Sequence, residues 1–119
     1  MNLTIYHNPA CSKSRKTLEL IEEHGITPNI IEYLKRPPDA VTVRRLAQQL
    51  GIGVAEMLRP NEADYHELTH SVSIDDEQAL AEGLAAFPGA LQRPIVVDED
   101  SGKTVIGRPP ENVLDLMAK

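Results

Sequence analysis

Leu3-Thr4-Ile5-Tyr6-His7-Asn8-Pro9-Ala10-Cys11-Ser12-Lys13-Ser14-Arg15 holds a short apolar run, a turn pair and the only cysteine of the chain, in that order. Leu3 to Tyr6 reads as a strand, Asn8-Pro9 ends it, and the residues that follow predict a helix from about Ser12 to His24. A cysteine at a helix N-terminus lies beside unpaired backbone N–H groups and the positive end of the helix dipole. Both favour a thiolate and an approaching anion. The helix charges run against its own stability, because Lys13, Arg15 and Lys16 crowd the first turn while Glu19, Glu22 and Glu23 fall toward the end. Each charge placed with the dipole contributes about 0.3–1 kcal/mol, and here the arrangement is reversed. Local rules broken without local gain are expected mostly at functional sites. The competing reading is a structural cysteine, since free cysteine is among the most buried residue types.

Downstream, Gly25 is placed to end the helix and Asn29 to Leu34 reads as a second strand, which makes a βαβ unit with parallel strands. Pro37-Pro38 breaks the chain. Asp39 is the expected N-cap of an amphipathic helix with Val43, Leu46, Ala47 and Leu50 on one face and Gly51 at its end. Next come a helical turn from Val54 to Leu58, a short helix capped by Asn61 and running through Leu68, and a polar loop from Thr69 to Ser73. A capping box at Ser73 opens a helix with Leu80, Leu84 and Phe87 on one face. Ile95 to Val97 and Thr104 to Ile106 form a β-hairpin, and Pro110-Glu111 opens a last helix with Val113, Leu114 and Met117 apolar. Strand, helix, strand, helical block, hairpin and helix predict an α/β protein. The expected architecture is a thioredoxin-like fold, a four-stranded mixed sheet with an inserted helical block, in one domain over residues 1–119.

A length of 119 residues suits one hydrophobic core, and no apolar run approaches the roughly 18 residues of a membrane span. With no signal-peptide layout at the N-terminus and one cysteine, the expectation is a cytoplasmic protein in a reducing compartment. A redox cycle must then borrow its second thiol from another molecule. The net charge of -6 argues against nucleic-acid binding, and three Tyr, one Phe and no Trp leave little to stack on bases. A small oxyanion is still within reach, because a few focused arginines bind one even on an acidic protein.

Three arginines are each followed by proline: Arg59-Pro60, Arg93-Pro94 and Arg108-Pro109. Proline restricts the preceding residue, so each guanidinium is presented from a stiff point and loses less entropy on gripping a tetrahedral oxyanion. A proline such as Pro94, just before a strand in a thioredoxin-like fold, is commonly cis and packs beside the cysteine loop. His7, four residues before Cys11, is placed to help lower the thiol pKa. His24, His66 and His70 read as surface residues, and no metal-ligand spacing is present.

The run from Tyr6 to Arg15, Tyr33-Leu34 with Pro37-Pro38, Leu58-Arg59, Arg93-Pro94-Ile95-Val96-Val97 and Gly107-Arg108-Pro109-Pro110-Glu111 together resemble the glutaredoxin-coupled arsenate reductase family. The resemblance covers essentially the whole chain. It implies Cys11 as nucleophile toward arsenate, Arg59, Arg93 and Arg108 as oxyanion ligands, and His7 and Ser14 as residues that tune the thiol. It also implies glutathione as co-substrate, glutaredoxin as partner and no tightly bound cofactor. Ser12-Lys13 stands where the better-known members carry Gly-Thr.

The expected function is reduction of arsenate to arsenite through a covalent Cys11 thiol–arsenate adduct. Three rivals remain at this level. A Cys-dependent phosphatase would need Arg six positions after the cysteine, where Thr17 stands. An Spx-like transcription regulator usually carries a Cys-x-x-Cys switch, where this chain has Cys11-Ser12-Lys13-Ser14. A glutaredoxin-like thiol transferase needs only one cysteine and is permitted.

Overall fold

The computed structural model describes residues 1–117; residues 118 and 119, the end of the expected domain, lie outside the described residues. Two compact units are present, one made of Met1–Tyr33 with the chain from Arg93 onward, the other of Leu34–Gln92.

In the first unit, strand β1 (Leu3–His7) leads through helix α1 (Ser12–Glu23) to strand β2 (Asn29–Glu32), and the two strands pair in parallel with Ile5 opposite Ile30. Strand β3 (Ile95–Asp98) lies antiparallel on the other side of β1, with Ile5 opposite Val96, and β4 (Thr104–Ile106) closes the hairpin. The order β2-β1-β3-β4 is the four-stranded mixed sheet of a thioredoxin-like fold, as expected. β1 is buried along its whole length because it has a neighbour on both edges, whereas β2 is an edge strand whose Ile30 is 45% exposed. Leu3, Ile5, Ile21, Val96, Val113 and Leu116 form the core, and Leu18, Leu20 and Ile26 pack against it.

The second unit is the inserted helical block. Asp39 caps α2 (Ala40–Leu50) by accepting from the Thr42 amide, and Gly51 ends it in a left-handed conformation. Val43, Leu46 and Ala47 face inward, and α2 packs against α4 (Glu77–Gly83) and the 3-10 turn Val54–Met57.

Several local expectations are corrected. Helix α3 (Ala63–Ser71) has Glu62 at its N-cap instead of Asn61, and it takes in Thr69 to Ser71 of the Thr69–Ser73 stretch expected as loop. The Thr69 and Ser71 hydroxyls donate to the carbonyls of Tyr65 and Glu67 one turn back, which lets polar residues continue the helix. Ser73 does not cap α4. Its hydroxyl is used locally by the Asp75 amide, Asp76 caps the helix through the Ala79 amide, and α4 ends at Gly83, before Leu84 and Phe87. The last helix starts as a 3-10 turn, Pro110–Val113, before α5 (Leu114–Met117). The tighter winding rotates the apolar face, so Val113 and Leu116 are buried and Leu114 is 36% exposed.

Ile21→Ala removes a fully buried side chain from the core and is expected to cost about 2–5 kcal/mol. Ile30→Ala, on the exposed edge, is expected to change stability by less than about 0.5 kcal/mol. Urea unfolding followed by circular dichroism distinguishes the two, the first lowering the midpoint strongly and the second hardly at all.

Candidate active site

The turn between β1 and α1 is folded by its own polar groups. Asn8 accepts the Cys11 amide on its carbonyl at 3.0 Å and the Ala10 amide on its side-chain Oδ1 at 3.0 Å. These two bonds bring Cys11 round to the N-cap of α1 with an extended backbone. The amides of Lys13 and Ser14 in the first turn of the helix act on its sulfur and favour the ionised form. The reversed charge pattern is present in the structure, with no acidic residue in the first turn of α1 and no basic one in the last.

Two arginines of the same unit meet the thiol. The Arg108 Nη2 lies 3.6 Å from Cys11 Sγ, and its Nε donates to the Arg93 carbonyl at 2.7 Å. Arg93 itself acts on the sulfur by a side-chain hydrogen bond and by charge. The peptide bonds Arg93–Pro94 and Arg108–Pro109 are both cis, the first as expected from sequence and the second unforeseen. Burial, the largest single influence, pushes the Cys11 thiol up, but the Ser14 and Lys13 amides and the Arg93 guanidinium together bring it below its ordinary value. A half-exposed sulfur anion with guanidinium groups and helix amides around it can attack a small electrophilic oxyanion and bind that anion's oxygens.

His7 and Ser14 form the buried side of the loop. Their Nδ1 and Oγ are 2.6 Å apart, and Ser14 Oγ also accepts the Asn8 amide at 3.0 Å. The His7 tautomer sets which of the pair donates. Burial lowers the His7 pKa, Glu32 and Glu22 raise it and Arg15 lowers it, with a net downward shift, so the ring is neutral at pH 7. His7 thus contributes a hydrogen bond through Ser14 instead of a positive charge.

Arg59 belongs to the second unit. There its amide donates to the Ala90 carbonyl at 2.8 Å and its guanidinium pairs with Glu62 at 3.2 Å. Its assignment to the oxyanion set rests on the family resemblance. His24, His66 and His70 are exposed. Among the described residues no group of three or more His, Cys, Asp or Glu is placed to hold a metal, and no helix is long and apolar enough to cross a membrane.

Two contributors were missed in the sequence. The sequence marks Asn8 only as a turn residue, although three of the bonds that shape the cysteine loop involve it. The sequence marks Gly107 only as a neighbour of Arg108. A Cβ there would stand 2.6 Å from Thr17 Oγ1 and 2.8 Å from Pro94 Cγ, so the segment carrying Arg108 can approach α1 this closely only with glycine. The signal available was a glycine immediately before an Arg-Pro pair.

The ArsC family matches residues 6–116 of the chain. The chain is 46% identical over 114 residues to the uncharacterized protein YfgD of Escherichia coli K12, an alignment covering 95% of this chain and 94% of that one. It is 40% identical over 119 residues to the arsenate reductase of Haemophilus influenzae Rd, covering 98% and 100% of the two chains. Among solved structures, the arsenate reductase from Vibrio cholerae superposes with a TM-score of 0.87 at 46% identity, over 97% of each chain. With a family match running from the end of β1 to α5 and spanning the whole cysteine site, this chain belongs to the ArsC family.

Proposed function

We propose that this protein is an arsenate reductase that uses Cys11 as its nucleophile and takes its reducing equivalents from glutathione and glutaredoxin. The observation that carries the reading is the Arg108 guanidinium 3.6 Å from the sulfur of a cysteine at a helix N-cap. Relatives of nearly equal length that are named arsenate reductases support the same substrate.

The Cys11 thiolate attacks arsenic as arsenate sits against Arg93, Arg108 and the amides of the first turn of α1. A sulfur–arsenic bond forms and one arsenate oxygen leaves as water after protonation. The arginines neutralise charge on the remaining oxygens. Reduction needs two electrons and a second sulfur, and the chain has no other cysteine. The glutathione thiolate provides it. A sulfur–sulfur bond forms between glutathione and Cys11 while the sulfur–arsenic bond breaks, its electron pair stays on arsenic, and arsenite departs. Glutaredoxin then exchanges its thiol with the mixed disulfide and restores Cys11.

Phosphatase chemistry is disfavoured by Thr17, six residues after Cys11. It is buried and its hydroxyl is turned back to the Lys13 carbonyl at 2.8 Å.

Purified protein with arsenate, glutathione and glutaredoxin is expected to release arsenite, and Cys11→Ser to reduce the rate to background. Arsenite release no higher than in the Cys11→Ser control overturns the substrate, and turnover of a glutathione mixed disulfide without any of arsenate reassigns the protein as a thiol transferase. Iodoacetamide alkylation of Cys11 followed against pH is expected to reach half its maximal rate below the value of about 8.5 for a free cysteine, and arsenate to slow it. Arg93→Ala weakens the thiolate and is expected to move that midpoint upward.

A further inference from the structure

The segment that delivers Arg108 to the sulfur has glycine at its centre, and glycine is the residue least able to hold a loop in one conformation. Something outside residues 106–108 has to fix it. The Asn112 side chain, from the 3-10 turn Pro110–Val113, donates through Nδ2 to the Ile106 carbonyl at 3.0 Å and to the Arg108 carbonyl at 3.2 Å. The Ile106 carbonyl also accepts the Arg108 amide at 2.9 Å. Both protons of one amide are thereby used on the two residues that flank Gly107. From this fixed backbone the Arg108 Nε reaches the Arg93 carbonyl and its Nη2 reaches Cys11 Sγ. The Asn112 backbone is itself held, its amide donating to the Pro109 carbonyl at 3.0 Å.

We propose that Asn112 is a positioning residue for Arg108, stapling the loop on both sides of Gly107 so that the guanidinium stays against the Cys11 sulfur and the oxyanion bound there. The role deepens the proposed function and rests on Cys11 being an anion-binding thiolate. Asn112 touches neither the sulfur nor the substrate. Its effect passes through Arg108, which separates it from a residue that merely stabilises the C-terminal turn.

Asn112→Leu removes both donors at nearly constant volume. In the glutaredoxin-coupled assay, KM for arsenate is expected to rise about fivefold, with kcat changed less than about twofold, because a loosened Arg108 weakens the grip on the oxyanion. The pH midpoint of Cys11 alkylation is expected to rise by about half a unit, since a wandering guanidinium stabilises the thiolate less. In an Arg108→Ala background, the same substitution is expected to add nothing to either quantity. An unchanged midpoint and KM in Asn112→Leu, or shifts of equal size with and without Arg108, overturn the proposal. If circular dichroism shows that Asn112→Leu fails to fold, Asn112→Ser, which keeps one donor, replaces it; a smaller shift that again disappears without Arg108 is then expected. The alkylation arm uses no arsenate. A wild-type protein inert toward arsenate but showing the Arg108-dependent shift therefore supports Asn112 and counts against the proposed substrate.

Discussion

A cysteine sulfur at the N-cap of a helix, with the Arg108 guanidinium 3.6 Å away, is the interaction on which the rest of the first unit depends. Sulfur is large and weakly hydrated, and the partial burial of this one opposes its ionisation. The opposing contributions come from groups that are cheap to aim: two helix amides with no partner within the helix, and arginines whose charge never titrates. A basic first turn weakens α1 as a helix, while the Ser14 and Lys13 amides of the same turn lower the pKa of the Cys11 thiol.

Packing and chemistry are joined at Gly107. The close approach of its backbone to Thr17 and Pro94 is a core contact between the loop after β4, the helix and the start of β3. The same approach sets how far Arg108 has to reach. Arg93 and Arg108 leave the sheet at neighbouring points because β3 and β4 are hairpin partners, with Ile95 opposite Ile106. Hairpin register therefore places two guanidinium-bearing residues on one side of the cysteine loop, and the bond from Arg108 Nε to the Arg93 carbonyl ties one to the other.

Most of this organisation was legible in the sequence where the signal is local. Cys11 between a strand and a helix, Asp39 as a cap, Gly25 and Gly51 as helix ends and the two hairpin strands are all written in neighbouring residues. The three Arg-Pro pairs pointed to an oxyanion, and the structure gathers Arg93 and Arg108 around the thiol. What was misread depended on side chains choosing between competing partners. Ser73 looked like a cap but spends its hydroxyl on the next turn, and Thr69 and Ser71 looked like loop but bond back into a helix. The last helix begins as a 3-10 turn, which leaves the apolar Leu114 36% exposed. Asn8 and Asn112 act through bonds to backbone groups, which leave no periodic trace.

The groups around Cys11 come from two distances along the chain: the Ser14 and Lys13 amides are local, whereas Arg108 lies 97 positions away. During synthesis the cysteine emerges long before Arg93 and Arg108 exist, and it can gain their field only after β3 has closed on β1. Until then only the amides of the first turn of α1 act on the sulfur, without the guanidinium groups. The arginine surroundings of the thiol are thus a product of long-range assembly, complete only with the finished sheet.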